Sequence, residues 1–380
     1  MDVDTWTKSI RDAHLRHAAV PDQVRGLHVP YFRRGVLSIP AFKLAAGGDP
    51  AVQGRQTSLK LMAGAAKYPA DAFFFDLEDA APDQPEFKRF ARQFCSEALL
   101  SHDFGDRVVG FRPNNIRTGH FEADLVEVLP AAGHRLQFIV VPKSETADEV
   151  RDIAQLVRQA CQLFGIARVP QLEVLIESPR AQVQAQAIAA VPGVAALVFG
   201  AYDFARCLGS QVHPDTWLQD QAAVRQLLVA IAASEGKDAI DAVTATLPVR
   251  PKDAQHRTPQ ALADRARALQ LCQRDAADAA RLGFAAKWIL HPDQIAPIQS
   301  AWNPSRERAL HALQVCAGYA RAQQAGSGAE LAGTQLVDKA VAGELLWVVQ
   351  AGLRAEVLQD AELAQAGVTL AELVRVAGSR

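Results

Sequence analysis

The stretch from Gln171 to Arg206 constrains the fold more than any other part of this chain. It reads QLEVLIESPR, then a helical interval, then AALVFGAYDFAR. Leu172–Ile176 and Ala195–Phe199 are short runs of Val, Leu, Ile and Phe, the composition of strands buried on both faces. Between them, Pro179 stands at a helix start and Pro192–Gly193 at its stop. A strand–helix–strand unit makes its two strands parallel and brings their C-terminal ends to one rim of a sheet. Glu177 follows the first strand and Asp203 comes just after the second, so two carboxylates share that rim. Such a pair repels unless a proton or a cation lies between the two. Mg²⁺ suits the position because it takes few protein oxygens and completes its shell with water and substrate. The alternative is that Glu177 caps the following helix and Asp203 is a solvated loop acid.

The rest of the chain repeats this unit. Val36–Pro40, Ala72–Leu77, Arg107–Phe111, Leu136–Val141, Ala239–Val243 and Ala286–Leu290 complete a set of eight short strands. Expected helices lie at about 57–67, 86–100, 120–129, 146–163 and 218–235, with another ending at Leu282 before the capping Gly283. Polar residues gather behind the strands: Asp76, Glu78 and Asp79 at the second, Arg112 with Asn114 and Asn115 at the third, Lys143 at the fourth and His291 at the eighth. This pattern predicts a (β/α)₈ barrel, with a site built by the loops that follow the strands. An open doubly wound sheet is the competing architecture, but the Gly-rich phosphate fingerprint it calls for is absent. The barrel is expected to fill residues 1–303, including a leading helix within 1–30. Residues 304–380 are expected to form a C-terminal helical extension, with helices at Arg306–Gln324, Val337–Leu358 and Val368–Val376 around a Gly/Ser break at Gly326–Gly333.

Composition removes several classes of function. A net charge of −2 gives no reason to expect nucleic acid or an anionic membrane as partner. No apolar run approaches the ~20 residues that span a bilayer, and the charged N-terminus does not read as a signal peptide. The five cysteines, odd in number and scattered, suit free thiols in a reducing cytoplasm. There is no Ser/His/Asp set, CxxC pair or P-loop.

Arg112 faces the expected metal pocket, where its planar fork suits a carboxylate or an enolate oxygen; its alternative is a salt bridge to an acid of the second strand. Strand alternation sends Asp76 and Glu78 to one side, as acceptors within the pocket or as a polar loop capping the next helix. Lys143 is placed either to bind an anionic group or to make a structural ion pair.

Six motifs, DAFFFDLEDA, VGFRPNN, VVPK, LIESPRA, VFGAYDFA and GFAAKWILHPDQI, occur in an order and at a spacing that resemble the HpcH/HpaI aldolase and citrate lyase beta-subunit superfamily. The DLEDA run and a late LVD ending at Asp338 look most like the malyl-CoA and citramalyl-CoA lyases. The resemblance covers about residues 33–340. It implies a TIM barrel and Mg²⁺ held by Glu177 and Asp203. It also implies contact of Arg112 with a thioester or enolate oxygen, and an acid/base role for Asp338 in the site of a neighbouring subunit of a homo-oligomer, a trimer or hexamer. Arg112, Asp338, Asp76 and Glu78 are then the catalytic set, with Arg112, Lys143, Gly200 and Ala201 as substrate contacts. The implied reaction is a reversible aldol or Claisen-type cleavage of a 3-hydroxyacyl-CoA, using a 2-oxo acid and an acyl-CoA. Long segments at Gly47–Gly54 and Thr244–Gln273, and the tail beyond Asp338, depart from the family pattern. They leave open a 2-oxo-acid aldolase that uses no CoA, or a barrel serving only as a subunit of a larger assembly.

Overall fold

The structure is a computed structural model that describes residues 32–378 apart from 45, 46, 106 and 254; the leading helix expected within 1–30 lies outside the described residues. Two compact units divide the chain, one ending at Ser305 and the other running from Arg306 to the C-terminus.

The first unit is a closed barrel of eight parallel strands. They are β1 (Gly35–Pro40), β2 (Ala72–Asp76), β3 (Val108–Arg112), β4 (Leu136–Val141), β5 (Gln171–Ile176), β6 (Val194–Phe199), β7 (Asp238–Asp241) and β8 (Ala286–Ile289). β8 pairs back onto β1 through Gly35↔Lys287, Val36↔Trp288 and Leu37↔Ile289, which closes the sheet and leaves no edge. Helices at Arg55–Gly64, Pro85–Ser101, Phe121–Ala132, Ala147–Leu163, Pro179–Ala189, Ala222–Ser234 and Pro259–Leu282 follow the first seven strands and bury their apolar faces on the outside of the barrel.

Because side chains alternate along each strand, every second residue points into the barrel. The interior is stacked in layers. Val36, Phe74, Phe138, Leu175, Val198 and Trp288 belong to an apolar middle. Towards the strand N-termini it is sealed by Arg33, bridged to Glu173 at 2.9 Å and to Asp238 at 3.2 Å. At the other end the inward positions are Asp76, Arg112 and Glu177, which line a cavity open at the C-terminal rim.

Several boundaries differ from those expected. The helix expected over 218–235 is two, Trp217–Asp220 and Ala222–Ser234, interrupted at Gln221, whose side-chain amide donates to the Ala201 carbonyl at 3.2 Å. A seven-residue helix, Ala201–Cys207, follows β6 directly, so Asp203 sits in a first helical turn instead of an open loop. In the second unit, the Gly/Ser break contains a short antiparallel hairpin of β9 (Glu330–Ala332) and β10 (Gln335–Val337), too short to show a strand period in sequence. The helix expected at Val337–Leu358 runs Lys339–Arg354, because Asp338 caps it by accepting from the Val341 N–H at 3.0 Å. A helix at Asp360–Gln365 was not foreseen, and the terminal one covers Leu370–Leu373 before a π-helical turn.

Close packing between strands sets a strict size limit at one interior position. A Cβ added to Gly110 of β3 would come within 2.5 Å of the Phe138 ring of β4. G110A is therefore expected to lower unfolding free energy by about 1–3 kcal/mol, measured by urea denaturation, whereas a tolerant barrel would leave the midpoint unchanged.

Candidate active site

At the C-terminal rim lies a cavity of about 340 Å³, lined by residues from or just beyond seven of the eight strands, among them Asp76, Asp79, Arg112, Glu177, Gly200, Ala201, Asp203 and Trp288. Of the sequence-expected residues, Asp76, Arg112, Glu177, Gly200, Ala201 and Asp203 line it, and Glu78 and Lys143 join it through their contacts with Arg112 and Glu177; Asp338 belongs to the second unit.

Arg112 is the hub. Asp76 sits opposite it in the β2–β3 register. Its carboxylate accepts from Nε at 2.8 Å and from Nη2 at 2.5 Å, a two-point fork that fixes the guanidinium plane. The remaining nitrogen, Nη1, is held more loosely, 3.3 Å from Glu78 and 3.4 Å from Asp79. The Trp288 ring lies 5.8 Å from the guanidinium carbon. Burial opposes the charge on Arg112, but Asp76, Glu78 and Asp79 together raise its pKa well above the usual arginine value. The salt-bridge alternative for Arg112 thus holds true structurally, and it coexists with a place in the cavity wall.

Lys143 supplies a second cation. Its Nζ meets Asp79 at 2.8 Å and is also hydrogen-bonded to Glu78, and these two acids keep it protonated against partial burial. Its main-chain N–H donates to Glu177 Oε1 at 2.6 Å. Glu177 does not cap the next helix. That role belongs to Ser178, whose hydroxyl accepts from the Ala181 N–H at 3.0 Å. Glu177 instead points into the cavity, and burial pushes its pKa up to about 7 against the pull of Arg112 and Lys143; the charges of Asp203 and Glu78 add to the rise. Glu78 is likewise raised to about 7, first by burial, with Asp79 adding and Arg112 and Lys143 opposing. Asp203 is more exposed, and one of its oxygens accepts from Arg206 at 2.6 Å and 3.1 Å.

Gly200 lets the chain pass close beside Glu177 on its way to Asp203. A Cβ there would lie 2.4 Å from the Glu177 Cβ, so only glycine lets β6 pass beside this carboxylate. Among the described residues, no group of three His, Cys, Asp or Glu side chains converges as a metal cage. Glu177 and Asp203 form a two-carboxylate set on a cavity wall. Such hard oxygen donors, with room beside them for water and a chelating substrate, suit Mg²⁺ and fit neither zinc nor a closed calcium site.

Sequence reasoning grouped Asp79 with the acids beside Arg112 without giving it a place in the cavity, and it missed Trp288 and the fastening role of Asn115. Asp79 follows the last alternating strand residue, where side-chain direction ceases to be predictable. Asn115 donates to the Pro142 carbonyl at 2.7 Å and so ties the loop after β3 to the one that carries Lys143. His291 acts locally, accepting from the Asp293 N–H at 3.1 Å.

The model of the HpcH/HpaI aldolase/citrate lyase family matches residues 55–292, which carry β2 to β8 and every charged residue lining the cavity. The chain belongs to that family. It is a lyase of the HpcH/HpaI aldolase type. It is 29% identical over 289 residues to the L-malyl-CoA/beta-methylmalyl-CoA lyase of Cereibacter sphaeroides, covering 71% of this chain and 83% of that one. To the mitochondrial citramalyl-CoA lyase of Rattus norvegicus it is 26% identical, over 78% and 79% of the two chains. A citrate lyase structure from Burkholderia xenovorans shares the fold with a TM-score of 0.67 at 21% identity, over 90% of this chain and 98% of that chain. The CitE structure from Mycobacterium tuberculosis in complex with magnesium, acetoacetate and coenzyme A gives 0.57 at 24% identity, over 85% and 98%. Among the described residues of this lyase, no helix is long and apolar enough to cross a membrane.

The raised pKa of Glu177 has a definite sign for stability. Relative to an ordinary carboxyl near 4.5, a folded value of about 7 means that the native lyase binds the proton more tightly than the unfolded chain. The stabilisation is complete below about 4.5 and is lost as pH rises to about 7. In the absence of divalent cations, E177Q should therefore gain stability over the wild type as pH increases across that window, reaching on the order of 2–3 kcal/mol by pH 8. Melting curves of both proteins at pH 5 and pH 8 check this; a pH-independent difference would show that Glu177 titrates normally.

Proposed function

We propose that this lyase cleaves, and in reverse forms, the C2–C3 bond of a short 3-hydroxyacyl-CoA of the malyl-CoA or citramalyl-CoA type, with Mg²⁺ held by Glu177 and Asp203. The observation that carries this reading is the juxtaposition, in one cavity, of that carboxylate pair with an arginine whose third nitrogen is only loosely held. The curated relatives point to the same substrate class.

When bound, Mg²⁺ would supply Lewis-acid polarisation of the 2-oxo acid's carbonyl and carboxylate oxygens. The chain's own groups account for the rest. In cleavage, the C3 hydroxyl gives its proton to a water at the rim, and its oxygen becomes the carbonyl of the 2-oxo acid. The C2–C3 bond breaks, and its electron pair moves into the thioester as an enolate. A proton added at C2 then gives the shorter acyl-CoA. Arg112 meets the enolate oxygen with Nη1, its least committed nitrogen, while Asp76 holds the other edge of the guanidinium so that the donor is aimed before charge develops. Glu78 and Asp79 act through Arg112 and share its excess charge with Lys143. Gly200 and Ala201 offer the substrate the close backbone approach that a missing or small side chain permits. The proton at C2 is assigned to Asp338 of a neighbouring subunit in a homo-oligomer. All five cysteines are free and four are buried, in keeping with a cytoplasmic enzyme.

The direct test is a cleavage assay on malyl-CoA and citramalyl-CoA beside the corresponding free hydroxy acids, with and without Mg²⁺. Turnover is expected of a CoA thioester only, lost with EDTA, and reduced roughly a hundredfold or more in R112K, which keeps the charge but not the fork. Cleavage of the free acids alone would replace this reading with a CoA-independent 2-oxo-acid aldolase. The assignment of Asp338 is tested by refolding inactive D338N together with inactive E177Q. Recovered activity in mixed oligomers is expected, because some sites then combine an intact Glu177 with an intact Asp338; mixed oligomers without activity would refute it.

A further inference from the structure

Lys143 is one of only two non-glycine residues with positive φ among those described, at 55°. The left-handed region is unfavourable for a residue with a Cβ, and it persists only where the surroundings enforce it. Here the enforcement is visible on both sides of the residue. The Pro142 carbonyl accepts from Asn115 at 2.7 Å, and the Lys143 carbonyl accepts from Arg117 Nη1 at 2.8 Å. Two residues on, Glu145 takes the Ser178 hydroxyl at 2.8 Å, which fastens the turn to the residue after Glu177. The product of this bracing is one short bond, from the Lys143 N–H to Glu177 Oε1 at 2.6 Å. The ammonium is already engaged by Glu78 and Asp79, so the residue is accounted for without a substrate.

We propose that Lys143 is a positioning residue. Its left-handed backbone aims its own N–H at one oxygen of Glu177 and thereby leaves the other oxygen, packed beside Gly200, for the cation. The inference rests on the reading of Glu177 as an Mg²⁺ ligand and assigns the VVPK lysine a main-chain task in place of the expected substrate contact. Glu177 is then gripped from two directions. The peptide of Lys143 holds one oxygen, and the chain at Gly200 passes so near that an added Cβ would fall 2.4 Å from the Glu177 Cβ.

The test separates backbone from charge. K143G and K143V both lose the ammonium and both keep the N–H, but glycine adopts positive φ freely and a β-branched residue resists it. Calorimetric titration of each purified full-length variant with Mg²⁺ alone, beside the wild type, is expected to show K143G binding at least tenfold more tightly than K143V. Thermal melts establish that both are folded. If K143V does not fold, K143A carries a smaller version of the same backbone penalty and is expected to fall several-fold below K143G. Equal Mg²⁺ affinity of the glycine variant and its partner would overturn the proposal, because it would leave only the shared loss of charge. A wild-type protein that takes up no Mg²⁺ would remove the metal reading itself, and this inference with it.

Discussion

The site depends on one buried ion pair, the two-point contact between Asp76 and Arg112. A guanidinium enclosed at the mouth of an apolar barrel is costly unless its hydrogen bonds are met, and a single acid opposite it in the strand register meets two of them. Once that pair is in place, the charge left over on Nη1 draws Glu78 and Asp79 inward. Those acids in turn fix Lys143, and the peptide of Lys143 reaches Glu177. The chain of contacts therefore runs from β2 across the rim to β5. Removing one partner would leave buried charge uncompensated, so the network is more sensitive to loss of a single member than the exposed ion pairs elsewhere on the surface.

The layers of the barrel explain why this network can exist at all. Its middle is apolar and its N-terminal end is closed by the Arg33, Glu173 and Asp238 cluster, while the cavity opens at the C-terminal rim. Counting the described acids and cations of that rim, Asp76, Glu78, Asp79, Glu177 and Asp203 outweigh Arg112 and Lys143. Burial raises the pKa of Glu78 and of Glu177 to about 7, which favours a proton there and lessens the excess. A divalent cation relieves the same excess without a proton, which is the physical reason that a pair of carboxylates in a cavity of this kind selects for metal binding.

Much of this was legible in the sequence because barrel strands are short apolar runs, and each ends at the residue that enters the site. Arg112, Glu177, Asp76 and Lys143 could all be placed from strand ends alone. What escaped was set by features with no local signal. The helix Ala201–Cys207 begins on the residue after Gly200 and is too short to display a period. Asp79 lies past the point at which alternation holds. The positive φ of Lys143 is imposed by Asn115 and Arg117 from a neighbouring loop, and nothing in a VVPK run announces it. The contact of the Gln221 side chain with the Ala201 carbonyl is likewise tertiary and has no local signal. The family resemblance supplied the chemistry, and the geometry supplied the reasons why these residues, in these positions, can carry it.

In the proposed mechanism the cation sits between Glu177 and Asp203. Crystals soaked in Mn²⁺ with pyruvate, and measured at the manganese absorption edge, test it most directly. A single anomalous peak is expected in the rim cavity, within coordination distance of both carboxylates and with an oxygen of pyruvate beside it. A peak at the Asp76–Glu78–Asp79 cluster instead, or none in the cavity under saturating metal, would contradict it.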